Sequence, residues 1–216
     1  MTSFITFEGI EGSGKSTQVR LLADWIKSRF GEEPVLTREP GGCRISDQIR
    51  ATLLDAANKG MDERAELLLY AAARAQHMAE IIQPALSTGK FVICDRFTDA
   101  TLAYQGYGRG LSKELIEELN TLATCGVEPD LTFLLDFPPE TGISRARSRN
   151  ADSDGPNEDR FEQEEIAFHH RVRNGYLDLE KSAPRIHRID ATGSIEEVAA
   201  RIRTVFSQFI EQRQAI

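Results

Sequence analysis

Short apolar runs alternate with longer helical patterns along most of the 216-residue chain. Five of these runs predict β-strands, because they are brief and rich in branched or aromatic side chains. The run at 91–94 has no polar position, which is typical of a parallel strand that is buried on both faces. The predicted strands are 4–7, 34–37, 91–94, 131–135 and 185–189.

Between the strands, apolar residues recur at helical spacing and stop at residues that break helices. The first helix begins at Lys15, and Asp62 caps a longer helix that Pro84 is expected to bend or end. Ser194 and Glu197 predict a capping box at the start of the C-terminal helix. The remaining predicted helices are 45–54, 112–125, one that opens at 138–139, and 161–181.

This alternation predicts an α/β fold in which a five-stranded parallel sheet is covered by helices on both faces. Right-handed crossovers connect successive parallel strands in nearly all such sheets. The sequence has no internal repeat and no linker of the kind that separates domains. We therefore expect a single domain over residues 1–216.

The amino-acid composition of the chain limits the classes of binding partner that we expect. The net charge is −8 and the pI is about 5.1, whereas a protein that binds nucleic acid needs a broad basic surface. The three cysteines are widely spaced, which predicts reduced thiols and a cytoplasmic protein. No apolar stretch is long enough to span a bilayer, and no leader precedes the first strand. We expect neither nucleic acid nor a membrane as a partner.

Residues 9–17, GIEGSGKST, form a complete G-x-x-x-x-G-K-[ST] phosphate-binding loop between a predicted strand and a predicted helix. In that position, backbone N–H groups at a helix N-terminus can face phosphate oxygens. Lys15 is expected to reach the β- and γ-phosphates of a nucleoside triphosphate, and Ser16 to ligate Mg²⁺. The alternative is a glycine-rich turn that matches by chance. The residues expected to hold the triphosphate are Gly9, Gly12, Ser13, Gly14, Lys15, Ser16 and Thr17.

Charged residues follow two other predicted strands. Asp95 ends an apolar run at the carboxyl edge of the sheet, where it can hold Mg²⁺ or its waters, and Arg96 can pair with a transferring phosphate. A structural Asp–Arg pair is the alternative. Arg38 and Glu39 precede a Pro-Gly-Gly turn at the same edge. Their spacing alone favours an ordinary turn with charges in solvent.

The segment 150–159, NADSDGPNED, is too polar to pack into a core, and arginines flank it on both sides. One interpretation is a solvated surface; the other is a lid that closes over phosphates and excludes water. Beside a phosphate-binding loop we favour the lid, over about residues 145–162. The flanking arginines are Arg145, Arg147, Arg149 and Arg160.

Four motifs occur in the order GIEGSGKST, TREPGG, LLLYAAARAQH and DRFTDATLAYQGYGRG. Together with the arginine-flanked lid, they resemble the bacterial thymidylate kinase family over essentially the whole chain. The resemblance implies a three-layer P-loop NTPase fold with a mobile lid. It also implies a homodimer, with helices near residues 45–85 as candidates for its interface, and transfer of the γ-phosphate of ATP to dTMP with Mg²⁺.

By this resemblance, residues within the motifs take the family's roles. Glu11 is expected near the acceptor sugar and the metal ion, which Ser16 and Asp95 also ligate. Tyr70 takes the place of a Phe that stacks on thymine, and Tyr104 crowds the 2′ position of the sugar. The residues expected to bind dTMP are Arg38, Tyr70, Arg74, Arg96, Thr101, Tyr104 and Gln105. Those expected to act in catalysis are Glu11, Lys15, Arg96, Arg149 and Arg160.

Helical spacing gives independent support to one pair of these residues. Tyr70 and Arg74 are four residues apart, so one helix face can offer a ring and a hydrogen-bond donor to the same base. A core tyrosine beside a surface arginine would produce the same spacing. His77, on the same predicted helix, is expected to be structural.

Two positions depart from the family's pattern. Tyr70 keeps a stacking face but adds a hydroxyl, so we expect little change in base preference. Gly12 stands where some members place an arginine inside the phosphate-binding loop. The lid is then expected to supply the catalytic positive charge, from Arg149 as first choice and from Arg160 as second.

Two other functions share parts of this pattern. Another nucleoside monophosphate kinase, or a deoxynucleoside kinase, would have the same loop, lid and Asp–Arg strand end. A regulatory switch would bind a triphosphate without an acceptor. Arginines at 38, 74 and 96 argue against the switch, because it needs no second pocket for an anionic substrate.

Overall fold

Five parallel strands form one sheet in the described residues, in the order β2-β3-β1-β4-β5. The computed structural model describes residues 2–151 and 160–214, without side chains at 149–151. All five predicted strands are confirmed, and their ends agree to within one residue. The strands are β1 (Ser3–Glu8), β2 (Val35–Arg38), β3 (Phe91–Asp95), β4 (Leu131–Asp136) and β5 (Ile186–Asp190).

Helices cover both faces of this sheet, as the alternating pattern predicts. No helix in the described ranges is long and apolar enough to cross a membrane. The helices are α1 (Lys15–Phe30), α2 (Arg44–Leu54), α3 (Glu63–His77), α4 (Gln83–Ser87), α5 (Thr98–Thr101), α6 (Lys113–Thr124), α7 (Pro139–Ala151), α8 (Ile166–Ser182) and α9 (Ile195–Gln214).

Predicted capping residues set several helix ends. Asp62 accepts a hydrogen bond from the Arg64 amide at 3.0 Å, at the start of α3. Ser194 and Glu197 form the predicted capping box: the Ser194 amide donates to Glu197 Oε2 at 2.7 Å, and the Glu197 amide donates to Ser194 Oγ at 3.2 Å. Gly31 ends α1 in the left-handed conformation that only glycine adopts readily.

Three helical regions differ from the prediction. The helix predicted at 161–181 begins five residues later, at Ile166, because residues 160–164 form turns. Pro84 does not end its helix; α3 continues through a π-helical stretch (Met78–Ile82) into α4, whose first turn needs no proline N–H. Residues Leu102–Gly108 are also π-helical and almost entirely buried, so they show no amphipathic period.

The sheet carries apolar clusters on its two faces, because successive side chains of a strand point to opposite sides. Ile5 packs with Leu22 of α1 and Phe206 of α9 on one face. Phe4 packs with Met78 and Val92 on the other. Each of these side chains is almost fully buried, which stabilises the fold by roughly 1.5–3 kcal/mol per residue. Packing on both faces holds the sheet in place and leaves its carboxyl edge available for a functional site.

Candidate active site

The phosphate-binding loop lies between β1 and α1 and is shaped by close contacts at its glycines. Gly12 has φ 69° and Gly14 has φ 91°, values that suit glycine. A Cβ atom at Gly9 would lie 2.5 Å from the Leu135 carbonyl oxygen. At Gly12 it would lie 2.0 Å from the carbonyl oxygen of Gly142 in α7. The absence of a side chain at position 12 therefore has a steric cause.

Lys15 lies buried at the start of α1 and folds back over the loop. Its ammonium donates to the carbonyl oxygens of Gly9 at 3.0 Å and Ile10 at 2.8 Å. Ser13 Oγ donates to the same Ile10 carbonyl at 2.9 Å, and Thr17 is exposed in the first turn of α1. Burial lowers the pKa of Lys15 to about 8, and the nearby Arg96 charge acts in the same direction.

Ser16 and Asp95 meet across the start of α1 and the end of β3. Ser16 Oγ donates to Asp95 Oδ2 at 2.8 Å. A hydroxyl and a carboxylate oxygen at this edge fit Mg²⁺, which binds through one or two carboxylates together with substrate phosphates. The pair predicted to ligate the ion is thus brought together by the fold.

Arg96 follows β3 with φ 71°, in the left-handed region that residues with a side chain seldom adopt. Its Nη2 atom lies 2.9 Å from Glu11 Oε1, and its guanidinium stacks over the Tyr104 ring at 4.8 Å. The Tyr104 hydroxyl donates to the same Glu11 oxygen at 2.5 Å. Glu11 of the phosphate-binding loop therefore contacts both Arg96 and Tyr104, two residues predicted to bind the acceptor substrate.

Glu11 is held as an anion by its neighbours. Burial is the largest single influence and would raise its pKa, but Arg96, His169, Lys15 and Tyr104 together outweigh it. Its pKa consequently lies well below the usual range. His169 Nδ1, on α8, lies 3.5 Å from Glu11 Oε2.

Arg74 is a buried cation whose donors are almost fully used. Nε donates to Glu39 Oε2 at 2.7 Å, and Nη1 donates to Asn120 Oδ1 at 2.7 Å. Nη2 donates to the Phe97 carbonyl at 3.1 Å and to Thr101 Oγ1 at 2.9 Å. Because these hydrogen bonds hold the guanidinium of Arg74, its orientation towards a molecule in the cleft is fixed.

Glu39 also explains His77, for which the sequence shows no partner. His77 Nδ1 lies 3.0 Å from Glu39 Oε1, and His77 Nε2 lies 2.6 Å from Thr37 Oγ1. Glu39 is buried rather than solvated, so the interpretation of an ordinary exposed turn is wrong for this residue. The sequence does contain a signal that could have indicated this cluster. Glu39 lies next to a proline turn, and Arg74 and His77 are three residues apart on one helix.

The other predicted acceptor residues lie at the same cleft. Tyr70 lines it, and burial raises the pKa of its hydroxyl. Arg38 also lines it, and Arg38 Nη2 donates to Asp47 Oδ1 at 3.2 Å. Gln105 Nε2 donates to the buried Glu66 at 2.8 Å.

One cleft of about 470 Å³ joins these groups. It runs from the phosphate-binding loop past the Asp95–Arg96 strand end to Tyr70 and Arg74. Its volume lies within the usual range for a small-molecule site. The predicted site residues that line it are Glu11, Gly12, Lys15, Ser16, Arg38, Tyr70, Arg74, Asp95, Arg96, Thr101, Tyr104 and Gln105.

The predicted lid is only partly described. The side chain of Arg149 and residues 152–159 lie outside the described part of the chain. Arg145 stacks on Phe137 at 4.5 Å, and Arg147 donates to the Glu162 carbonyl oxygen.

The described end of the lid returns to the cleft. Arg160 Nη1 lies 2.6 Å from Glu66 Oε2, and its Nε donates to the Leu53 carbonyl at 2.5 Å, so Arg160 is buried against α2 and α3. Phe161 and Glu162 line the cleft although the sequence did not indicate them. Phe161 meets the Tyr104 ring edge-on at 5.5 Å.

Comparisons with known proteins indicate the family of this chain. The thymidylate kinase family model matches residues 7–202. The thymidylate kinase of Syntrophotalea carbinolica is 58% identical over 203 residues, which are 94% of each chain. That of Desulfovibrio desulfuricans is 50% identical over 212 residues, which are 97% of each chain. The crystal structure of thymidylate kinase from Ehrlichia chaffeensis has a TM-score of 0.75 and 39% identity, and the match covers 95% of this chain and 98% of that one. The chain therefore belongs to the thymidylate kinase family.

Proposed function

We propose that the chain transfers the γ-phosphate of ATP to dTMP and forms dTDP and ADP, a step towards dTTP. Membership of the family makes it a nucleoside monophosphate kinase. The observation that carries the proposal is a single cleft with the phosphate-binding loop at one end and three arginines, Arg38, Arg74 and Arg96, along the acceptor side. A regulatory switch has no need of this second, cationic half.

The donor half holds ATP through the phosphate-binding loop. Backbone N–H groups of residues 12–17 surround the phosphates, and the α1 N-terminus adds its dipole. Lys15 leaves the carbonyls of Gly9 and Ile10 to reach the β- and γ-phosphates. Its lowered pKa does not remove its charge there, because phosphate oxygens favour the ammonium form.

The acceptor half orients dTMP. Arg96 and Arg38 hold the monophosphate, Tyr70 stacks on thymine, and Arg74 offers its fixed guanidinium to the base edge. Tyr104, anchored to Glu11 through its hydroxyl, stands against the 2′ side of the sugar and favours deoxyribose. Thr101 and Gln105 complete the wall, so the pocket selects by shape and by hydrogen bonding.

Transfer then needs alignment and charge neutralisation rather than a general base, because the attacking phosphate oxygen is already largely ionised near neutral pH. Lys15 and a lid arginine stabilise the charge on the transferred group, and Arg149 remains the first choice for the lid. Closure over the cleft excludes water and so prevents hydrolysis of ATP.

Mg²⁺ fits the donor set of Ser16 and Asp95, with Glu11 nearby. Ser16 and Asp95 would hold the ion, which would supply positive charge to neutralise the charge that develops on the transferred phosphoryl group. Asp95 also holds Ser16 in place, because Ser16 Oγ donates to it. Glu11 stays ionised at working pH because its pKa lies well below the usual range.

We further propose that the protein is cytoplasmic and forms a homodimer. We place the dimer interface on the exposed faces of α3 and α6, a surface that includes Leu68, Leu115 and Leu122. Leu68 of α3 is 56% exposed, and Leu122 of α6 is 76% exposed. Leu115, one heptad before Leu122, lies on the same face of α6 and is 47% exposed. Light scattering after size-exclusion chromatography should give a dimer mass that Leu122→Glu lowers to the monomer mass. A parent that elutes as a monomer contradicts the proposal.

The test of function is ADP release with ATP and a panel of monophosphates. We expect kcat/KM for dTMP to exceed the values for dUMP, UMP, CMP and GMP by at least about tenfold. Turnover centred on another monophosphate would assign a different kinase of this fold. Hydrolysis of ATP that no acceptor stimulates would favour the switch.

A further inference from the structure

The end of β1 carries a buried carboxylate that the proposed mechanism does not use. Glu8 is fully buried, three residues before the loop glutamate Glu11. Its Oε1 accepts a hydrogen bond from the Phe97 amide at 2.7 Å, and its Oε2 accepts one from the Tyr176 hydroxyl at 2.7 Å. Both donors lie next to Arg96, one along the chain and one in space.

The first contact fixes the backbone of Arg96. This residue has φ 71°, which costs energy for any residue with a Cβ atom, so the surrounding structure must hold it there. The Arg96 amide donates to the Phe7 carbonyl at 2.9 Å, and the next amide, of Phe97, donates to Glu8. Two consecutive residues of β1 therefore hold the two peptide groups that flank the left-handed residue.

The second contact fixes the side chain of Arg96. Its Nη1 donates to the Tyr176 hydroxyl oxygen at 3.2 Å, and the Tyr176 hydroxyl donates onward to Glu8. Nη2 is held on the other side by Glu11. Tyr176 is itself almost fully buried on α8, so the chain Arg96–Tyr176–Glu8 is shielded from water.

We propose that Glu8 and Tyr176 are positioning residues that aim the Arg96 guanidinium at the acceptor phosphate. Glu8 acts on the backbone and the side chain of Arg96 at once, through Phe97 and through Tyr176. Glu8 does not line the cleft. The proposal rests on the proposed phosphoryl transfer, because the effect appears only in a reaction that Arg96 serves.

The experiment compares Tyr176→Phe and Glu8→Gln with the parent in the ADP-release assay. Phenylalanine keeps the ring but removes both hydrogen bonds of the hydroxyl. Glutamine keeps an acceptor for the Phe97 amide but cannot accept from Tyr176 through its NH₂ group. Tyr107→Phe is the matched control, because its hydroxyl lies 3.3 Å from the exposed Asp178, outside the cleft.

We expect both variants to lower kcat/KM for dTMP about tenfold, the size of effect typical of a lost hydrogen bond between buried groups. The KM for ATP and the Kd for ADP should stay within about twofold, since Lys15 and the loop are unchanged. Tyr107→Phe should match the parent.

Two results overturn the proposal. One is a kcat/KM for dTMP within about twofold of the parent in Tyr176→Phe. The other is an equal loss for dTMP and ATP that follows a lowered Tm and disappears at low temperature, as a purely structural role predicts. Failure of the proposed function gives a different result from failure of the positioning role, because the parent itself would then not turn over dTMP.

Discussion

Gly12 and Gly142 meet backbone to backbone, with room for no side chain at either position. A Cβ atom at Gly12 would lie 2.0 Å from the Gly142 carbonyl oxygen, and one at Gly142 would lie 2.5 Å from the Glu11 carbonyl oxygen. The phosphate-binding loop is thus in contact with α7, the helix that leads into the predicted lid. This contact explains why the loop itself carries no arginine at position 12.

We predict that Gly12→Ala lowers both stability and activity. The added methyl group must displace backbone atoms, and φ 69° disfavours it further, so the free energy of unfolding should fall by about 1–3 kcal/mol. Thermal unfolding and steady-state kinetics check this. Gly60→Ala is the control, because a Cβ atom there meets nothing within 4 Å. Equal Tm values for the parent and Gly12→Ala would show that the contact with α7 is not tight.

Lys15→Ala should abolish phosphoryl transfer, with kcat lowered by more than about 100-fold. The loss follows from the missing charge at the β- and γ-phosphates. The Tm should not fall, since burial already disfavours the ammonium and lowers its pKa to about 8. Lys27→Ala, which removes an exposed lysine in the last turn of α1 that pairs with Glu33, is the control. Retained transfer would contradict the role of the phosphate-binding loop.

Much of this site could be predicted because its residues follow strand ends and a loop of fixed spacing. Asp95 is the last residue of β3 and Arg96 follows it, and parallel strands bring their carboxyl ends to one edge. The partners of Arg74 could not be predicted in this way. Glu39, Thr101 and Asn120 come from three distant parts of the chain, and only the packing of α3 brings them together.

The end of the lid was the least predictable part. An arginine beside an acidic segment predicts a phosphate contact. That pattern does not indicate whether the arginine side chain is exposed or buried in the fold. The structure pairs Arg160 with Glu66, which no periodic pattern indicates. Phe161 was missed for a related reason: it precedes α8 within a turn, where helical spacing carries no information about which side faces the cleft.

Arg74→Ala should weaken dTMP binding and also destabilise the fold. Glu39 would lose its buried partner, and removal of one member of such a pair costs about 3–5 kcal/mol. We expect a raised KM for dTMP and an unchanged KM for ATP, both measured below the unfolding transition, and a lower Tm in thermal unfolding. Arg64→Ala, at the exposed start of the same helix, should change neither constant. An unaltered KM for dTMP would confine Arg74 to a structural role.

Arg149→Ala should lower kcat strongly, by about 100-fold or more, with a modest change in the KM for dTMP. The reason is that a lid arginine acts on charge in the transition state rather than on acceptor binding. Single-turnover rates by rapid quench measure the step directly. Arg29→Ala, an exposed arginine at the far end of α1, is the control. If single-turnover rates matched the parent, the catalytic charge would have to come from another arginine.

Glu8 should make stability depend on pH in a way that glutamine at that position removes. Burial, together with the nearby Asp99, raises the pKa of Glu8 to about 8, although Arg96 opposes the shift. The folded state therefore holds this proton more tightly than the unfolded state. Its contribution to stability is complete below the ordinary pKa of 4.5 and is lost as the pH rises through about 8.

The measurement is the Tm of the parent and of Glu8→Gln across about pH 6 to pH 9. The Tm of the parent should fall relative to that of the variant as the pH rises, because only the parent must ionise a buried carboxyl. Asp99 faces Glu8 but is held by Arg185, whose Nη atoms lie 2.7 and 2.8 Å from its carboxylate oxygens, and it is present in both proteins. Lys15, whose lowered pKa gives the opposite slope, is also common to both, so its effect cancels in the difference. Parallel Tm curves would show that Glu8 is ionised throughout this range, and the hydrogen bonds from Phe97 and Tyr176 would then be donated to a full anion.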